Sequence, residues 1–233
     1  WYDLGGVLEI SFFAPRTARY GHRFTFVEPG FIVALDEDFI AFKPLREFAI
    51  DELKALLAYL NSSFTQFYIE SRGKVPGGVG PARLEVGDAI EMPILDIKKI
   101  PKEVINRLAQ LFDKLESEAR RLGGADSVEN VFGSELAREL TGKEVKGNVD
   151  GLFNTVIKEI DYEVARILGL EGLVDVVRSL ILELIKRRLS RAGEAKPEAI
   201  EGETTITEAI KNSRKSKSKS TTQTRTTTLD KYF

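Results

Sequence analysis

Leu53, Leu56, Leu57 and Leu60 recur at the spacing of one helix face, and Asp51 offers a cap ahead of them, so a helix is predicted from Asp51 to about Asn61-Ser62-Ser63. Pro101 opens a second helical pattern, in which Val104, Ile105, Leu108, Leu111, Phe112 and Leu115 share a face. A third runs over residues 151–168 through Leu152, Phe153, Val156, Ile157, Ile160, Val164 and Ile167, and Gly169 ends it. A fourth covers residues 173–189 and finishes on the basic Lys186-Arg187-Arg188, as suits the negative end of a helix dipole. Before residue 51 the text is different. Short β-rich runs, "FTFVEPGFIVAL" and "DFIAF", are broken by Pro and Gly.

These patterns imply an α+β chain: a small mixed α/β domain over residues 1–100, then a helical domain over 101–192. After the first helix comes a short segment, "FTQFYIE", and then "SRGKVPGGVGPARLEVGD", whose five glycines and two prolines are too disruptive for a helix or a central strand. Past residue 192 the apolar density falls. Residues 211–228 are almost entirely Lys, Arg, Ser and Thr, which bury too little to offset the entropy of ordering, so a disordered basic linker is expected over 193–225. Residues 226–233, "TTTLDKYF", return to apolar side chains at the end.

Composition narrows the chemistry. No run of eighteen apolar residues and no charged-then-apolar leader is present, so a soluble, cytoplasmic protein with no membrane contact is expected. Trp1 opens directly into strand-like text, which reads as the start of a C-terminal fragment. The single methionine beside 30% charged residues leans toward a thermophilic source. With no cysteine and one histidine, His22, the sequence excludes thiolate nucleophiles, Ser-His-Asp triads and multi-histidine metal sites. "GGVGPAR" lacks the Lys-Ser/Thr and following helix of a phosphate-binding loop, and Asp36-Glu37-Asp38 reads as a solvated acidic turn.

A net charge of -2 provides no global field for nucleic acid, so any such contact must be local. Two clusters have suitable chemistry. "APRTARYGHRF" places Arg16, Arg19, His22 and Arg23 around Tyr20 with no acid between them, and the Gly-rich loop carries Arg72, Lys74 and Arg83. Guanidinium and ammonium groups grip phosphates and reach base edges, and glycines let a backbone approach a groove. The same residues also suit a solvated strand edge and a plain surface connection.

Taken in order, "WYDL", "PRTARYGHRF", "LLAYLNSSFTQFYIE" and "RGKVPGGVGPARLEVGDAIEMPILDI" resemble the C-terminal target-recognition region of adenine-specific DNA methyltransferases of the type II restriction-modification class. The resemblance covers residues 1–100 and, more loosely, the helices to about 190. It implies that an upstream domain carries the S-adenosylmethionine site and the Asn-Pro-Pro-Tyr-type motif; neither is found in this sequence, which by itself is expected to be catalytically inactive and to hold no cofactor. A methyltransferase that unstacks its target base needs a second module to read the neighbouring bases. By the resemblance, contact with double-stranded DNA falls on Arg16, Arg19, Arg23, Arg72, Lys74 and Arg83. Asn61 and Ser62 also belong to the pattern, but suit a structural helix stop.

The C-terminus resembles a sliding-clamp (PCNA) interaction peptide, with Leu229 followed by the adjacent aromatics Tyr232 and Phe233, and with Thr226 where that family usually has Gln. It implies a clamp partner bound by a short turn on a flexible tether. Two function classes stay open: the recognition module of a methyltransferase, and a free-standing clamp-binding or clamp-inhibiting protein derived from one. A specificity subunit of a multi-subunit restriction system would need a second recognition region, which is not visible.

Overall fold

The computed structural model describes residues 10–192 except 32, 73–79 and 146. Lys74 and the clamp-peptide residues Thr226, Leu229, Tyr232 and Phe233 lie outside the described residues. The fold is α+β, with seven helices and two small antiparallel sheets among the described residues.

The first sheet has β1 (Phe12–Pro15) at its centre, between β3 (Thr25–Phe26) and β4 (Phe39–Phe42). Phe12 faces Phe26 on one side and Phe42 on the other, and the Phe12 and Phe42 rings stack at 4.8 Å. Among the described residues of the run "FTFVEPGFIVAL", only Thr25–Phe26 is strand, because Pro29 and Gly30 turn the chain away. The second sheet is a ribbon of β2 (Thr17–Ala18) and β5 (Ala82–Arg83), paired Thr17 to Arg83 and Ala18 to Ala82.

The sheet packs on α1 (Ile50–Leu60), which is buried on nearly every side: Leu53 and all of Ala55–Leu60 are in the core. Such a helix must lie between two layers, and its other face meets α4 (Lys102–Arg121) through Leu108, Leu111, Phe112 and Leu115, with Lys54 paired to Asp113 at 2.7 Å. The helix begins slightly earlier than Asp51 suggests. Ala49 is the cap, its N–H satisfied by Glu52 Oε2 at 2.8 Å, and Asp51 sits in the first turn, where the dipole favours an anion.

The segment "FTQFYIE" is helix α2 (Ser63–Arg72), and the short α3 (Val86–Ile90) follows β5. The buried Asp161 on α6 (Val156–Leu168) caps α2 by accepting from the Ser63 N–H and hydroxyl, both at 2.7 Å. It also pairs with Arg178 of α7 (Val174–Arg191) at 2.6 Å. The second half is helical, as the periodicity predicts, but α5 (Val128–Thr141) breaks at Gly133. There φ is +82°, and residues 149–153 cross so closely that a Cβ would meet the Val149 carbonyl at 2.8 Å. Leu152 and Phe153 donate to the carbonyls of Asn130 and Val131 across this crossing, so residues 151–155 enter α6 as extended and turn structure, not as its first helical residues. The change of character at residue 100 separates types of element and not cores, since one cluster of buried side chains runs from Phe12 to Leu189.

Candidate nucleic-acid interface

The two basic clusters, far apart in sequence, meet at the β2–β5 ribbon. Arg16 and Arg19 flank β2, Arg83 is in β5, and the Leu84 N–H extends the pairing by donating to the Arg16 carbonyl at 2.7 Å. Two residues per strand make little ladder, so the ribbon needs outside support.

That support is Arg188, on the last turn of α7. Its guanidinium donates to the carbonyls of Arg19 (2.7 Å) and Gly80 (2.9 Å), one on each side of the ribbon, and forks onto both oxygens of Glu70 at 3.1 and 3.2 Å. Side-chain exposure is only 5% for Arg188 and 3% for Glu70, so the pair is held inside the protein. Gln66, one turn before Glu70 on α2, donates to Glu70 Oε1 and accepts from the His22 N–H at 2.9 Å. Residues 19–22 and Gly80 are thereby tied to α2 and α7. Asn61 completes the stitching: its amide oxygen accepts from the Phe24 N–H, and its NH2 donates to the carbonyls of Phe24 and Leu57. Asn61 is thus committed to the backbone.

Sequence reasoning missed Glu70, Gln66 and Arg188 as positioning residues. The signal available was Gln66 and Glu70 at i, i+4 spacing within an aromatic-rich segment, which sets both on one helix face. Arg188 was hidden by the ordinary expectation that a basic helix end is solvated.

His22 lies within this network. Its Nε2 is 3.3 Å from the Arg16 carbonyl and its Nδ1 is buried without a hydrogen-bond partner. Burial lowers its pKa to about 4, the contact with the Arg16 carbonyl opposes this, and the charges of Arg23 and Arg188 lower it further. At neutral pH the ring is neutral and donates from Nε2.

The cations differ in what holds them. The Arg16 Nε is buried with no hydrogen-bond acceptor, and Arg19 is exposed. Arg72 lies over the Tyr68 ring at 5.0 Å and pairs with Glu91 at 3.1 Å, while Arg83 Nε is 2.7 Å from Glu85 Oε1, an ion pair without hydrogen-bond alignment. Both pairs are partly exposed, so a phosphate can compete with either carboxylate. Arg23 stands apart: its Nη1 folds back onto the His22 carbonyl at 2.9 Å, and it lines a groove against α4, away from the ribbon pairing. Among the described residues no group of three His, Asp or Glu side chains could hold a metal ion, and no helix is long and apolar enough to cross a membrane.

Comparison with protein-family models, with curated proteins and with solved structures gives no match.

Proposed function

We propose that this chain is the DNA-binding, target-recognition module of an adenine-specific DNA methyltransferase, in which methyl transfer from S-adenosylmethionine belongs to an upstream domain. The observation that carries the reading is the convergence of "PRTARYGHRF" and the exit of the Gly-rich loop on one ribbon, with Arg16, Arg19 and Arg83 around it. A buried ion pair and a glutamine hold the backbone there, so the cations are presented from a fixed base. Such an arrangement grips phosphates with little ordering cost. Arg72, and Lys74 within the loop, extend the basic surface in sequence. No residue here is assigned to S-adenosylmethionine.

The triple variant Arg16→Gln, Arg19→Gln, Arg83→Gln tests the reading. Its affinity for duplex DNA should fall, and the slope of log K against log salt should drop by about 3, one for each phosphate that is no longer neutralised. An unchanged slope with an intact fold would refute the assignment. The tail supports a second, separable contact: Leu229, Tyr232 and Phe233 have the spacing of a clamp-binding peptide. Deleting residues 226–233 should abolish binding to a sliding clamp and leave DNA binding intact. If the full chain binds the clamp and shows no DNA affinity, the free-standing clamp-binding reading replaces the methyltransferase one.

A further inference from the structure

A groove of about 210 Å³ opens between Arg23–Thr25 and α4. Its walls are the apolar Phe24, Phe112, Leu115, Ala119 and Ala125. Arg23 also lines a small crevice behind it, against Ser62, Ser63 and Gln66, so this side chain sits between the open groove and the closed interior.

The charges around the groove do not balance. Glu116 and Arg120 pair with each other at 3.7 Å, and Asn61 is used up by the backbone of Phe24 and Leu57. Arg23 is left over: one nitrogen donates to the His22 carbonyl, its Nε is buried without an acceptor, and it forms no ion pair among the described residues. Removal from water is strong enough to bring its pKa down to about 10, against the distant attraction of Asp161. A desolvated guanidinium with no carboxylate in contact is costly, and an oxyanion is the partner its geometry matches. The apolar walls select a hydrocarbon body for that oxyanion. The volume falls below the ~300–1,000 Å³ of sites for drug-sized ligands, which limits the body to one ring or a short branched chain.

We propose that this groove is a binding site for a small amphipathic carboxylate, its carboxylate on Arg23 and its hydrocarbon body against Phe112, Leu115 and Ala119. The site is separate from the β2–β5 ribbon and does not rest on the DNA reading.

The test is backbone amide NMR of the full chain titrated with benzoate, isovalerate, the neutral benzamide and inorganic phosphate. A carboxylate should produce saturable shifts at Arg23–Thr25 and along residues 115–120, and benzamide should bind at least about tenfold more weakly than benzoate. Arg23→Gln should lose the carboxylate. Ala119→Phe, which fills the groove and leaves Arg23 in place, should lose it too and covers the case in which Arg23→Gln fails to fold. Three results would each overturn the proposal: no saturable shift with either carboxylate, equal binding of benzoate and benzamide, or binding of phosphate as tight as that of benzoate. Displacement of benzoate by duplex DNA would place Arg23 in the DNA interface and likewise overturn it.

Discussion

The protonation of His22 should be coupled to the stability of the whole fold. In an unfolded chain the imidazole takes up a proton near pH 6.5, whereas in the folded protein burial and the facing cations Arg23 and Arg188 delay that step to about pH 4. Glu70, the nearest acid in the network, is taken up by Arg188 and by Gln66. Between pH 6.5 and 4 the unfolded state therefore binds more protons, and stability rises with pH. The contribution is fully present above pH 6.5, is reduced by roughly 2 kcal/mol at pH 5, and its loss is complete below pH 4 at roughly 3 kcal/mol. Two measurements check this. Because the chain has one histidine, its ring-proton NMR signal is unambiguous, and it should titrate near pH 4 when folded and near pH 6.5 in urea. Urea unfolding at pH 7.5 and pH 5 should show a larger loss of stability for the wild type than for His22→Gln, whose amide can still donate to the Arg16 carbonyl but cannot titrate. A folded-state midpoint between pH 6 and 7, or parallel pH dependence of the two proteins, would refute the reasoning.

Removing the acid that holds the cation at the end of α2 should strengthen DNA binding: Glu91→Gln frees Arg72, and duplex affinity at low salt should rise with a salt slope steeper by about 1, read by fluorescence anisotropy. Because that pair is surface-exposed, its removal should change stability by no more than about 1 kcal/mol. Gly133→Ala should lower the melting temperature far more than Gly30→Ala. Both have positive φ, which costs ~1–2 kcal/mol for an L residue, but of the two only Gly133 would drive its new Cβ into the crossing segment at residues 149–151, whereas at Gly30 nothing lies within 4 Å.

Elements set by local rules were legible in the sequence. The α4 and α6 faces follow from 3.6-residue periodicity, and Gly169 ends α6 at φ +66°, the left-handed cap that glycine adopts freely. Those set by tertiary contacts were not. Two-residue strands such as β2 and β5 carry no periodic signal, and their pairing exists because Arg188, from the far end of the chain, satisfies the carbonyls beside them. The break in α5 was hidden for the same reason, since its cause is the crossing of residues 149–153. For the site, sequence marked the cations but could not separate them by surroundings. Arg16 and Arg83 belong to the ribbon, while Arg23, within the same acid-free run, turns to a groove against α4.

The Glu70–Arg188 pair shows why the candidate interface and the fold cannot be varied independently. Replacing a buried ion pair by apolar residues is often neutral or stabilising, so stability alone does not explain its presence. Here, however, the guanidinium has two further acceptors, the carbonyls of Arg19 and Gly80, and an apolar pair would leave both without that donor. One planar donor thus sets the separation of the two backbone segments that carry the basic residues, to within hydrogen-bond tolerance. A lysine could match the charge but not the fork, since a single ammonium lacks the planar spread of donors that reaches Glu70 and both carbonyls at once. The specificity of the pair is therefore geometric: it fixes where the two backbone segments that carry the basic residues begin, and the partly exposed carboxylates Glu85 and Glu91 pair with two of those residues, Arg83 and Arg72.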